Sequence, residues 1–127
     1  MNKSQSYTSL LLRVSFSAMF LTHGYGKFMK LISGDLGFAD PVGVGELPTL
    51  IFAVFAEFFC PILLILGFKT KLAAIPPAIV MIVAAFLIHW NDSWGKIEFP
   101  LLYLTGFMAI YLLGPGTYSL DWRLKKI

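Results

Sequence analysis

The chain has 127 residues, of which 57% are hydrophobic and 13% charged, and its net charge is +3. Water-soluble domains carry about 25% charged residues, and a soluble chain of this length has too little interior to hide so much apolar surface. The charges stand at the ends of apolar segments rather than along one stripe, which excludes nucleic acid as a partner. A single cysteine, Cys60, excludes an internal disulfide or a CxxC redox pair.

A helix rises about 1.5 Å per residue, so about 20 apolar residues cross a bilayer core of about 30 Å. Four stretches of residues approach that length: 8–26, 47–67, 72–90 and 97–115. They predict an all-α fold, a membrane-embedded antiparallel four-helix bundle, with residues 1–127 as one domain. The first stretch is interrupted by Arg13 and leaves through Thr22-His23-Gly24-Tyr25-Gly26-Lys27, so it reads as a retained span and not as a cleaved signal. Along it Arg13, Phe20 and Lys27 recur every seven residues with Gly24 on the same side, a polar-plus-glycine stripe that faces inward.

Residues 28–46 form the one long connection, with turn signals at Gly34, Gly37, Asp40-Pro41, Gly43 and Gly45. The second stretch carries Glu57 at its middle, next to Ala53, Cys60 and Pro61, small neighbours that let another helix approach. Phe68-Lys69-Thr70-Lys71 is a tight turn into the third stretch, where Ala74, Ala78, Ala85 and His89 share a stripe. On the fourth, Glu98, Thr105 and Ala109 line one side, with Glu98 expected in the first turn, where the helix dipole favours an acid.

An ionisable group inside lipid costs at least about 2.5 kcal/mol, which makes each one a functional candidate. His23, Glu57, His89 and Glu98 form a candidate polar pocket in the outer half of the bundle. Arg13 and Glu57 differ little in depth, so a structural ion pair between them is expected as well. Two rim histidines are too weakly buried for a haem. No closely spaced ligands on one helix indicate a metal site, so neither haem nor metal is expected.

The pieces Leu12-Arg13, Phe20-Leu21-Thr22-His23-Gly24 and Lys27, the loop Phe38-Ala39-Asp40-Pro41-Val42-Gly43-Val44-Gly45, Ala56-Glu57-Phe58-Phe59-Cys60, Leu66-Gly67, Thr70-Lys71-Leu72-Ala73, Met81, His89, Glu98, Leu101-Leu102-Tyr103-Leu104, Gly114-Pro115-Gly116 and Ser119-Leu120-Asp121 follow one another in an order and spacing that resembles the DoxX family of small bacterial membrane proteins. The likeness covers nearly the whole chain. Lys71 stands where the family more often has arginine, and Cys60-Pro61 replaces the paired glycines of many members. The resemblance implies relatives of quinone-linked thiosulfate oxidation, of redox-stress assemblies and, distantly, of membrane assembly factors.

Two functions are therefore expected. One is a redox-associated, quinone-linked subunit in which buried acid and histidine hydrogen-bond and protonate a quinone headgroup. The other is a non-enzymatic scaffold or assembly factor that binds a partner's transmembrane helices. Quinone is the one cofactor left open. The expected partners are the bilayer and another membrane or redox protein, with a homo-oligomer left open.

Lys3, Lys69, Lys71, Arg123, Lys125 and Lys126 fall on one side of the four stretches, against Asp121. Lys27, Lys30 and Lys96 fall on the other, beside Asp35, Asp40, Glu46, Asp92 and Glu98. Lysine and arginine mark the cytoplasmic side, so both termini are expected there, in a bacterial inner membrane. Reporter fusions after Lys30 and after Lys71 are expected to read out opposite compartments; a shared compartment would end the four-span topology.

Overall fold

The computed structural model describes residues 1–126; Ile127, the last residue of the expected domain, lies outside the described residues. The described residues are helical, without strands. Helix α1 spans Lys3–Ile32. Helix α2 runs Glu46–Leu66, α3 Thr70–Ile88 and α4 Trp94–Leu113, and a short α5, Leu120–Lys126, follows.

Helices α2, α3 and α4 are long and apolar enough to cross a membrane. Helix α1 is longer than its expected span of 8–26 at both ends, because Asn2 caps it with a reciprocal bond to Gln5 and no breaker stops it before Ser33. The long connection shrinks to residues 33–45. In α4 the start moves back to Trp94, which puts Glu98 in the second turn and not in the first.

Burial in α1 is inverted relative to a helix in water. Ser6, Ser9, Arg13 and Ser17 are buried, whereas Leu11, Val14, Met19 and Met29 are exposed. The apolar exteriors of α2, α3 and α4 continue this, with Ile51, Phe55, Ile79, Ile82, Leu102 and Leu112 all exposed. A chain that turns serine and arginine inward and leucine outward is solvated by lipid. It is a membrane protein.

The interior is aromatic and small by turns. Phe20 packs on Tyr103 and Phe107 with ring centroids 5.0 and 4.9 Å apart. Phe16 lies flat over Gly106, where any Cβ would collide with its ring. Helix α1 meets α2 most closely at Gly24, whose Cβ position is filled by the Glu57 carbonyl. Only a glycine admits that approach.

Arg13 and Glu57 do not pair. The Arg13 guanidinium is fully buried and donates instead to the Leu64 carbonyl at 3.0 Å, Ile65 at 3.3 Å and Tyr118 at 2.7 Å, with Nε 3.4 Å from the Ser9 hydroxyl. The physical reason is the end of α2: its last carbonyls carry the negative end of the dipole and keep lone pairs for a further donor, and Leu64 and Ile65 lie at Arg13's level. Gly67, at φ 74°, ends α2 in the left-handed conformation there, and the space beside it is taken by Ser119 and the guanidinium.

The C-terminal segment closes the same end. Asp121 accepts from the Lys69 and Thr70 amides at 2.7 and 2.9 Å, capping α3, and its own amide donates to Gly67 at 2.9 Å. Ser9 donates to the Gly114 carbonyl at 2.6 Å, past the end of α4. The start of α1, the α2–α3 turn and the segment after α4 therefore converge at one end of the molecule.

Arg13→Met removes the donor that the Leu64, Ile65 and Tyr118 carbonyls share, Leu64 keeping the Gly67 amide, and is expected to destabilise the folded protein by about 3 kcal/mol or more. Arg13→Lys should recover only part of this, since one ammonium cannot reproduce the fork. Thermal unfolding in detergent, followed by loss of the monodisperse peak, measures both; equal stability of all three proteins would refute the assignment.

Candidate functional site

Near the middle of α2, away from the end that Arg13 closes, Glu57 is buried and pairs with Lys27 of α1, Nζ to Oε2 2.5 Å. Lys27 follows Gly24 by one turn, so the contact that brings the backbones together also delivers the ammonium to the carboxylate. Glu57 stands in a π-helical turn, Phe55–Phe59, closed by the Cys60 amide on the Phe55 carbonyl. Pro61 explains the location: it lacks the N–H that an α-helical ladder would aim at the Glu57 carbonyl, so the regular register cannot continue through this point.

A second π-helical turn, Ala84–Ile88, ends α3, closed by the His89 amide on Ala84 at 2.9 Å. His89 comes directly after it, and its Nδ1 lies 2.8 Å from Asp92 Oδ2. The bond from His89 holds the Asp92 carboxyl below the usual carboxylate range. With Nδ1 as donor, Nε2 is the free ring nitrogen and an acceptor.

His23, Lys27, Glu57 and His89 line one cavity of about 480 Å³, together with Lys96, Phe99 and Tyr103 from α4 and Phe20 from α1. His23 meets Phe99 and Tyr103 edge to face at 5.5 and 5.9 Å. Three of the four residues picked from the sequence are thus brought to one cavity. Glu98 is not among them. It is exposed, because the inward face of α4 is Pro100, Tyr103, Gly106, Phe107 and Ile110, and Glu98 with Thr105 lies off that face.

Lys96 and Tyr103 were missed by the sequence reading, which put the polar side of α4 at Glu98, Thr105 and Ala109. The signal was present in the spacing: Lys96, Phe99, Pro100 and Tyr103 lie at i, i+3, i+4 and i+7. Tyr103 is 8% exposed, lines the cavity, and its hydroxyl makes no hydrogen bond within the described residues. Among the described residues no three His, Cys, Asp or Glu side chains gather as a metal site.

The whole arrangement lies on a helical membrane scaffold that the DoxX family model matches over residues 8–90. The chain belongs to the DoxX family. It is similar to the Escherichia coli (strain K12) "Inner membrane protein YqjF", 30% identical over 131 residues, covering 99% of this chain and 98% of that protein. An "Uncharacterized protein" of Haemophilus influenzae is 32% identical over 134 residues, covering 99% and 97%. The Bacillus subtilis (strain 168) "Putative oxidoreductase CatD" is 28% identical over 122 residues, covering 95% and 90%. No solved structure matches the chain.

The Lys27–Glu57 contact predicts non-additive mutants. Glu57→Ala and Lys27→Met each leave one charge unpaired, and the double variant removes both, so a coupling of about 1–3 kcal/mol is expected. A double-mutant cycle on thermal stability in detergent measures it; additive losses would show the pair to be energetically idle.

Proposed function

We propose that this DoxX family protein is an antiparallel four-span bundle of the bacterial inner membrane, with both termini cytoplasmic, and that it serves as a redox-associated subunit binding a quinone headgroup in its outer cavity. Helix α1 is the fourth span: at 30 residues it exceeds the length needed, and it turns Ser6, Ser9, Arg13 and Ser17 inward while Leu11, Val14, Met19 and Met29 are exposed.

The observation that carries the redox reading is the donor set at the cavity. Lys27 and Tyr103 offer hydrogen-bond donors, His89 Nε2 an acceptor, and Glu57 an acid in contact with Lys27, around a space of about 480 Å³. Ligand sites of this kind are mostly apolar cavities of about 300–1,000 Å³ with a few placed polar groups. A neutral ring with two carbonyl oxygens fits such donors. A quinone supplies two-electron, two-proton redox chemistry when bound.

The chain's own part is to bind, orient and manage protons. Lys27 and Tyr103 hold the carbonyl oxygens. Glu57 and His89 exchange protons at those oxygens, with Asp92 keeping His89 in the tautomer that leaves Nε2 free. Phe20 and Phe99 shield the ring from water. Electrons come from a partner redox protein, in keeping with the Bacillus subtilis relative named "Putative oxidoreductase CatD".

Membranes solubilised gently and purified on the full chain are expected to yield quinone in the lipid extract at close to one per chain, detected by its redox difference spectrum. Glu57→Gln with Tyr103→Phe should lower that content about tenfold or more while leaving folded yield intact. A stoichiometric partner protein with no quinone would instead favour the scaffold function.

A further inference from the structure

A second cavity, of about 490 Å³, lies against the first, and Lys27, Glu57, Met81, Ala84 and His89 line both. Its remaining wall is apolar and comes from three places: the 33–45 connection, the first half of α2 and the second half of α3. Phe38 and Val42 represent the first, Pro48 and Phe52 the second, Ile79 and Val83 the third. Resting on the quinone reading above, we infer that this cavity is the seat of the quinone's isoprenoid chain, which reaches it from the ring by passing Glu57 and His89.

The rim supports a lateral entrance from lipid. Val42, Phe52, Ile79 and Ile88 line the cavity and are also exposed, so its mouth opens among apolar groups on the lipid-facing surface. The connection is held over it by local bonds: Asp40 accepts from the Val44 and Gly45 amides at 2.9 and 3.0 Å and from the Thr49 hydroxyl at 3.3 Å. Phe38 lies under the Lys27 ammonium at 5.7 Å, which ties the cover to the polar junction. A chain entering here gains no hydrophobic driving force, since lipid is as apolar as the wall. What it gains is dispersion contact in a space that shaped walls leave unfilled.

Charge selects a quinone over a phospholipid at the junction. Lys27 and Glu57 neutralise each other in the wall the two cavities share, so a phosphate would meet the Glu57 carboxylate there and no unpaired ammonium, whereas a neutral ring meets hydrogen-bonding groups.

The test compares two quinones with the same ring, one bearing an isoprenoid chain and one a methyl in its place, titrated into nanodiscs holding the full chain. Val83→Trp, which fills the apolar cavity, is expected to weaken the chain-bearing quinone about tenfold, referred to its concentration in the bilayer, and to leave the methyl compound unchanged. Val42→Trp, on the exposed connection, should act in the same direction and serves if Val83→Trp does not fold. A photoreactive group near the ring end of the chain should label residues of 38–53 or 79–88. Loss of neither ligand in the tryptophan variants, labelling on α4, or a stoichiometric phospholipid released by Val83→Trp would overturn the inference while the quinone reading stands. Binding of neither quinone to the unaltered protein would overturn both.

Discussion

The Arg13 guanidinium is the piece on which the rest of this structure depends. It is a fully buried charge with no ion-pair partner among the described residues, and it is held by the carbonyl ends of a helix and a loop. A planar fork with five donors can serve several acceptors at once where an ammonium cannot. By binding Leu64, Ile65 and Tyr118 together it joins α1, the end of α2 and the segment after α4. Asp121 completes the closure by capping α3 from that same segment. The Arg13 end of the molecule is therefore clamped by polar contacts, in a medium that gives helices little other reason to associate.

With one end fixed, the other can be open. Gly24 sets the distance between α1 and α2, and Lys27 and Glu57 meet because of it. Beyond that contact the helices diverge around two cavities. Both carry polar groups supplied at π-helical turns, where the regular ladder gives way and a side chain is re-aimed. Rigidity and opening are thus separated along the length of the same four helices.

Much of this was legible in the sequence. Inward stripes on α1, α2 and α3 identified Arg13, Gly24, Glu57 and His89 as interior, and the charge at Glu57 marked it as needing a partner. The partner itself was misread. Depth alone suggested Arg13, but sequence spacing does not reveal that the carbonyl end of α2 lies beside Arg13. Nor does it show that Lys27, a turn beyond the Gly24 contact, reaches down to the acid. On α4 the error came from following the acid: Glu98 is conspicuous by charge, while the buried face is defined by Pro100, Tyr103, Gly106 and Phe107, whose pattern is aromatic and small. The π-helical turns had one cue, Pro61, and none for the second.

The Tyr118 bond spans 105 residues. Ribosomes add about 5–20 residues per second, so an interval of several seconds separates the emergence of Arg13 from that of one of its acceptors. During that interval α1 carries its arginine without the Tyr118 acceptor and Ser9 without the Gly114 carbonyl. An unpaired arginine in lipid costs about 2.5–3.5 kcal/mol on the insertion scale. The Leu64 and Ile65 carbonyls at the end of α2 offset part of that cost before Tyr118 is made. The full set of bonds at Arg13 is therefore complete only after the segment beyond α4 has been made.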